Sequence, residues 1–430
     1  MTLGLICLAA VLLLAFLRVP LAFSLMTVSF FGIAWDYGYS TSITMLSMTI
    51  SDAVFSYDLA VVPLFILMGN ILSKTGIAAD LFRAANAYLG HIRGGLALST
   101  MVTCAGFSAV CGSSLATAAT MSKVAYPSMK KYGYSDSLAS ASIAAGGTLG
   151  ILIPPSIILM IYGILTQTNI GELFIAGVIP GLLGLAFYML AIYVVAIFRP
   201  QHAPRGERSD AAEKIKSLKG VWPFFALFLL IFGGIYAKFF TATEAAGMGA
   251  GFALIIALLQ KRMTWASFKH IFLDASFTSV MLYSVLFGAM LFAKLVSFSG
   301  LAEGILAAVE ASGLSGFELI AIIMIIFLLL GCVMDSLAII LVCVPLFVPI
   351  VLANGFDLIW FGIIVVVVTE IALITPPIGM NVFVLKATLP NVSFAAIFRG
   401  LVPFITVDLA RLILLIAVPS LSLALVQAMR

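Results

Sequence analysis

Charge is what this sequence has least of. Of its 430 residues 9% are Asp, Glu, Lys or Arg, and 63% are hydrophobic. Soluble domains carry about 25% charged residues, so water is not the main solvent of this chain. Mean hydropathy is +1.22. No Asp, Glu, Lys or Arg occurs from Gly94 to Ser122, or from Ser137 to Gly171. A bilayer-spanning helix needs about 20 apolar residues, and these runs exceed that. Histidine is scarce: His91, His202 and His270 form no His-Glu-x-x-His pair, which removes the commonest catalytic zinc motif. The five cysteines all lie in apolar segments without Cys-x-x-Cys spacing. They read as packing residues, not as disulfides or metal ligands. Without a Gly-x-x-x-x-Gly-Lys loop, ATP is not the expected energy source. No Gly-x-Ser-x-Gly elbow marks a nucleophile. The basic loop 199–219 is too short for a nucleic-acid module, so no nucleic-acid partner is expected. The N-terminus enters an apolar run with no basic leader, and it reads as a first membrane helix, not a cleaved signal.

What charge there is marks topology. Lys and Arg concentrate on the cytoplasmic side of membrane proteins. Arg18 follows the first apolar span, and a loop with Asp36, Asp52 and Asp58 but no Lys or Arg follows the second. Lys74, Arg83 and Arg93 follow the third, and the densest basic cluster lies within 199–219. Glu303, Glu310 and Glu318 form an acidic stretch. The signs alternate consistently for about ten helices with the N-terminus outside, provided that two apolar stretches return to the side they entered. These are 94–132 and 317–355, predicted as re-entrant hairpins. Backbone turning at membrane depth must be buried in protein or line a cavity.

An internal repeat supports this. A shift of 222 residues places Gly94 on Gly316 and Ser114-Leu115-Ala116 on Ser336-Leu337-Ala338. It also places Pro127 on Pro349, Gly133 on Gly355, and Pro154-Pro155 on Pro376-Pro377. Glycine and proline fix backbone geometry, so their spaced agreement carries structural information. The flanking charges of the two copies have opposite sign, which predicts inverted-topology repeats with sites near the membrane midplane.

Each repeat has a helix interrupted by Pro-Pro. A proline pair at mid-span breaks the helix. The freed carbonyls can coordinate a cation, and the next half-helix offers its N-terminus to an anion. Asp335 at the second hairpin tip is an intramembrane carboxylate, between Glu318 and Asp357 with no charge otherwise, and is costly without a function. One cation is expected between Asp335, Ser336 and the carbonyls near Thr375 and Pro376. Its repeat mate is expected among Gly112, Ser113, Ser114 and the carbonyls near Gly150. The anionic substrate is expected at Ser114, Thr117, Pro155, Ser156, Ser336 and Asn381. Glu244 and Glu370 receive no role, and Asp408 and Arg411 read as a local ion pair on the last helix.

The runs GFSAVCGSSLATAATMSKVAYPSM (106–129), GGTLGILIPPSI (146–157), TATEAAGMGA (241–250) and TEIALITPPIGMN (369–381) complete the pattern. With them the chain resembles, over almost its whole length, the large membrane subunit of tripartite ATP-independent periplasmic (TRAP) transporters. The resemblance implies uptake of an organic acid anion, such as a C4-dicarboxylate or sialic acid, driven by two or more Na+ ions through an elevator-type motion. It implies a small membrane subunit (Q-type) as a separate chain, a periplasmic substrate-binding protein (P-type), and location in the bacterial inner membrane with a periplasmic N-terminus. The family's hairpin-tip and broken-helix positions fall on Gly112 to Ser114, Pro154 to Ser156, Asp335, and Thr375 to Pro377.

The expected organisation is an all-α membrane protein of the ion-transporter type. Residues 1–58 form N-terminal helices for scaffold and partner contact. Repeat 1 covers 59–198, with hairpin 94–132, broken helix 136–165 and helix 172–198. A cytoplasmic loop spans 199–220. Residues 221–430 hold helices 221–259 and repeat 2, with hairpin 317–355, broken helix 359–386 and last helix 401–427. The rival readings are a stand-alone sodium/dicarboxylate symporter, a channel, and a membrane-embedded enzyme using Asp335 and Glu370 as a carboxylate pair. No enzyme activity is expected, since nothing supplies a nucleophile or metal.

Overall fold

The computed structural model describes residues 1–429. The first half runs through α1 (Thr2–Phe16), α2 (Leu21–Tyr37), α3 (Tyr39–Val54), α4 (Val61–Lys74), α5 (Ile77–Leu89), α6 (Gly95–Cys111), α7 (Ser114–Lys131), α8 (Asp136–Thr148), α9 (Ile157–Thr166) and α10 (Ile170–Phe198). The second runs through α11 (Ala211–Tyr236), α12 (Ala242–Leu259), α13 (Trp265–Phe298), α14 (Leu301–Ser312), α15 (Gly316–Gly331), α16 (Ser336–Ala353), α17 (Leu358–Ala372), α18 (Met380–Thr388), α19 (Phe394–Ala417) and α20 (Ser420–Met429). Among the described residues twenty α-helices stand where about ten were expected. Joining the halves of broken helices, and setting aside hairpin legs, arms α5 and α14, and helices α3 and α20, recovers the lower number. Among the described residues seven helices are long and apolar enough to cross a membrane by length and composition.

The helix boundaries follow from local chemistry. Side-chain oxygens of Ser135, Asn169, Thr264, Asp357 and Ser393 accept amide hydrogens in the first turns of α8, α10, α13, α17 and α19, satisfying donors that a helix start leaves open. Thr241 with Glu244 and Ser315 with Glu318 form full capping boxes on α12 and α15. That gives Glu244 a helix-starting role which the sequence left open. Two boundaries correct the sequence reading. The segment 199–220 is not all loop: the Asp210 carboxylate accepts the Glu213 amide hydrogen at 2.7 Å and α11 begins at Ala211. The last helix is not continuous over 401–427. It begins at Phe394 and ends at Ala417, where Pro419 cannot donate to the helical ladder, and α20 resumes at Ser420.

The same 222-residue shift organises the whole fold. It lays α7 on α16 with identical bounds, α8 on the start of α17, and α5 within two residues of α14. It also lays α2 within one residue of α12, and α1 on the second half of α11, ending two residues past it. The repeat therefore reaches the N-terminal helices that the sequence reading kept apart.

Packing between the halves is crossed. Helix α2 lies along α13 while its mate α12 lies along α4, and α9 meets α16 while its mate α18 meets α7. Such exchange of partners is what a two-fold relation between halves produces. Combined with the opposite flanking charges, it sets the two-fold axis in the membrane plane. The interior is continuous, and α17 is buried from Ile359 through Ala372. Large apolar side chains such as Trp35 (83% exposed), Phe277 and Leu329 cover the outside. In water they would be an aggregation hazard, but against lipid they form the solvent-facing surface.

Candidate functional site

The first hairpin is α6 and α7, and it turns at Gly112. This residue has φ +62°, a left-handed conformation that a side chain disfavours. A Cβ here would sit 3.1 Å from the Pro155 carbonyl oxygen, so the tip touches the turn of the first broken helix. At Gly150, a Cβ would meet Ser108 Oγ at 3.0 Å and the Ser113 carbonyl carbon at 3.3 Å. Gly112, Ser113, Gly150 and Pro155 therefore form one cluster.

Ser113 caps α7, accepting the Ala116 amide hydrogen at 3.4 Å, and its carbonyl accepts the Thr117 hydroxyl at 2.9 Å. Ser156 caps α9 by accepting the Leu159 amide hydrogen at 3.2 Å, and donates to the Ile151 carbonyl across the break at 2.5 Å. Pro154-Pro155 is a cis peptide, as is Pro376-Pro377.

The second hairpin is α15 and α16. Asp335 is the repeat mate of Ser113 and caps α16 in the same way, with its Oδ1 accepting the Ala338 amide hydrogen at 2.9 Å. Hairpin and broken helix meet where Gly331 leaves room for the Ala372 side chain. Thr375 Oγ1 donates to the Ile371 carbonyl at 2.6 Å. Asp335, Ser336 and Thr375 are half-buried and Pro376 is exposed, whereas Ser114, Pro155 and Ser156 are buried. The two copies share a plan but not an exposure, and the second is the more open.

The halves are pinned together at the first tip. The Ser114 hydroxyl pairs with the Asn381 amide group at 2.7–2.9 Å, and Asn381 Nδ2 donates to the Ala144 carbonyl at 2.9 Å. Asn381 belongs to the second broken helix, so its side chain ties α18 to α7 and α8. Of the residues expected to face substrate, Ser114, Thr117, Pro155, Ser156 and Asn381 are buried, and Ser336 is half-buried. A cavity of about 850 Å³ lies elsewhere, lined by Asp52, Asp58, Gln167, Asn169, Lys238 and Glu244 among others. None of the expected site residues lines it.

The oxygen set at the tips comprises hydroxyls, backbone carbonyls and one carboxylate. Hard donors of this kind suit small hard cations. Among the described residues no group of three or more His, Cys, Asp or Glu side chains comes together.

The sequence missed one cluster. Asp408 and Arg411 do pair, at 2.9 Å, but the Arg411 guanidinium also bonds Glu370 of α17, and Tyr188 of α10 donates to Asp408. All four are fully buried. A guanidinium with two carboxylates in an apolar interior requires pairing of this kind. Only the i, i+3 half of it was visible from spacing, because Glu370 and Tyr188 arrive by tertiary packing.

Comparison with known proteins places this geometry in context. Residues 8–421 match the family model of the tripartite ATP-independent periplasmic transporter, DctM component. The C4-dicarboxylate TRAP transporter large permease protein of Pseudomonas aeruginosa is 38% identical over 386 residues, covering 89% of this chain and 90% of that one. The sialic acid TRAP transporter large permease protein of Vibrio cholerae is 30% identical, over 96% of each chain. Among solved structures, the YdaH transporter of Alcanivorax borkumensis superposes with a TM-score of 0.66 at 14% identity, covering 90% of this chain and 89% of that one. That likeness concerns fold alone. Motifs, repeat and hairpin geometry agree with the family match along nearly the full length, and the chain belongs to the DctM component of the tripartite ATP-independent periplasmic transporters, a membrane permease and not an enzyme.

Proposed function

We propose that this permease imports an organic acid anion, of the C4-dicarboxylate or sialic acid class, by coupling its passage to sodium. The observation that carries the reading is the pair of repeat-mate caps: Ser113 and Asp335 occupy equivalent places at the two hairpin tips, the first tip touching the Pro154-Pro155 turn at Gly112 and the second hairpin meeting its own broken helix at Gly331 and Ala372. Two cations are assigned to these places. One lies at Gly112, Ser113, Ser114 and Gly150, and the other at Asp335, Ser336, Thr375 and Pro376. Sodium supplies the driving charge; each ion moving down a potential of 100 mV contributes about 2.3 kcal/mol.

The anion would bind between the tips, near Ser336 and the capped start of α9 at Pro155 and Ser156. A helix start carries positive potential. Ser114, Thr117 and Asn381 would shape that space from behind. The substrate would arrive on a periplasmic binding protein, and a small membrane subunit on a separate chain would complete the assembly in the inner membrane, with the N-terminus of this chain periplasmic. Crossed packing of α9 on α16 and α18 on α7 favours an elevator motion, because it interlocks both hairpins and both broken helices into one body. That body connects through arms α5 and α14 to helices α2, α4, α12 and α13.

Uptake into proteoliposomes containing all three components tests the reading, with and without an inward sodium gradient. Asparagine caps helices as well as aspartate does, so Asp335→Asn keeps the α16 cap and removes only the charge. The expected result is a wild-type fold with sodium-driven uptake reduced about tenfold or more, as for loss of a charged ligand interaction. Wild-type uptake indifferent to sodium would refute the coupling. Full activity of Asp335→Asn would remove this residue from the ion site.

A further inference from the structure

Thr148 and Glu370 are repeat mates: each lies at or near the end of the first half of its broken helix, 222 residues apart. The structure joins them through a single chain of side-chain contacts. Thr148 Oγ1 lies 3.0 Å from the Tyr188 hydroxyl. Tyr188 donates to Asp408, Asp408 Oδ1 lies 2.9 Å from Arg411 Nη2, and the same nitrogen bonds Glu370. Every member is fully buried. Gly184, one turn before Tyr188 on α10, has no space for a Cβ because the Arg411 guanidinium lies over it.

A buried charged trio is a poor source of stability, since apolar side chains of the same volume often do as well. It also leaves Glu370 Oε1, Asp408 Oδ1 and Arg411 Nε and Nη1 without a hydrogen bond, the Asp408–Arg411 contact being an ion pair. What such a network supplies is a fixed geometry. We infer that Tyr188, Asp408 and Arg411 are positioning residues that couple the two broken helices, so that cation binding at one break sets the backbone at the other. The inference rests on the sodium-coupled reading above and adds a route between its two sites.

The joint in this route is Thr148. Its hydroxyl has one proton and two acceptors, the Ala145 carbonyl at 2.8 Å and the Tyr188 oxygen, whose own proton goes to Asp408. With the Thr148 proton on Tyr188, the chain is closed from break to break. With it on Ala145, the last turn of α8 is bonded within itself and the chain is open. Thr148 is followed directly by Leu149, Gly150 and Ile151, the tightened turn that enters the first break. A shift of this one hydrogen bond is therefore felt at the carbonyls assigned to the first cation. An element with two discrete arrangements, biased from both ends, is the physical requirement for coupling between sites.

The test is a double-mutant cycle on the sodium dependence of uptake in the complete three-component system. Tyr188→Phe removes one hydroxyl and keeps the ring, and Thr148→Val removes the other hydroxyl at nearly constant volume. Each is expected to raise the half-saturating sodium concentration about tenfold, the order expected for a lost bond to an ionised network, and to lower the Hill coefficient towards one. The double variant is expected to be no worse than either single, because both cut the same chain. Thr148→Ser keeps the hydroxyl and is expected to retain the wild-type curve, which controls for folding defects in the other variants. Unshifted sodium curves, or additive effects in the double variant, would overturn the inference. Uptake driven by a different cation would refute the sodium reading alone, and the same cycle on that cation then decides the coupling. Uptake driven by no cation would overturn both.

Discussion

Replacing Arg411 alone should damage this protein more than replacing its whole charged cluster. Arg411 bonds Glu370 and Asp408, and none of the three is accessible to solvent. Arg411→Met leaves two carboxylates in an apolar interior with no cation. Removing one partner of a buried ion pair costs about 3–5 kcal/mol, a change of roughly 10² to several times 10³ in the ratio of folded to unfolded protein. Larger chains shift less in melting temperature per kcal/mol, so the expected fall is roughly 3–10 °C. The quadruple variant Tyr188→Phe/Glu370→Leu/Asp408→Leu/Arg411→Met removes every charge and the tyrosine hydroxyl that pairs with Asp408. Buried ion networks replaced by apolar groups are typically neutral or more stable by about 1–4 kcal/mol, so this variant should recover most or all of the loss. The assay is thermal unfolding in detergent with a thiol-reactive fluorophore, reporting on Cys104 and Cys343, which are buried in the folded chain. Arg411→Met melting with the wild type would refute the electrostatic argument. A quadruple variant as unstable as the single one would show that shape, not charge pairing, governs the cluster.

Gly112→Ala places a Cβ in a left-handed residue, which costs about 1–2 kcal/mol, and presses it against the Pro155 carbonyl. Gly133→Ala at φ +79° meets nothing within 4 Å and carries the backbone cost alone. Both variants should therefore melt earlier, but only Gly112→Ala should lose uptake; equal uptake in the two would separate the tip-to-break contact from transport. Asn381→Leu strips Ser114 of its partner and should destabilise by about 1–3 kcal/mol. Combined with Ser114→Ala the loss should be smaller than the sum of the singles, and simple additivity in melting experiments would show that the pair does not act together.

Much of this architecture was legible because glycine and proline constrain the backbone directly. The alternation of basic and acidic flanks located both hairpins, the repeated pairs Gly133/Gly355 and Pro127/Pro349 supported them, and the two Pro-Pro steps located both breaks. The hairpin 94–132 appears as α6 and α7, and the hairpin 317–355 as α15 and α16. Residues 1–58 hid their membership in the repeat because α2 and α12 share length and position, not proline or glycine landmarks. Within the site, the caps at Ser113 and Asp335 follow from short-range sequence, whereas the pairing of Asn381 with Ser114 joins residues 267 apart. The Thr148–Tyr188–Asp408–Arg411–Glu370 chain is assembled from four helices, and no local periodicity encodes it. Only its Asp408–Arg411 link, three residues long, could be read in advance.

The crossed arrangement bears on how such a chain could have originated. Ser114 and Ala144 in the first half are answered by Asn381 in the second, and α9 finds its neighbour α16 across the same divide. A polypeptide of half this length could satisfy those groups only by meeting a second copy inserted upside down. Its ancestor would then have been a dual-topology dimer whose gene was duplicated and fused, with basic residues later accumulating to fix each half's orientation. Separately expressed halves, split within 207–210, should be inert alone and regain transport when produced together. Co-produced halves that fail to restore transport would count against that ancestry.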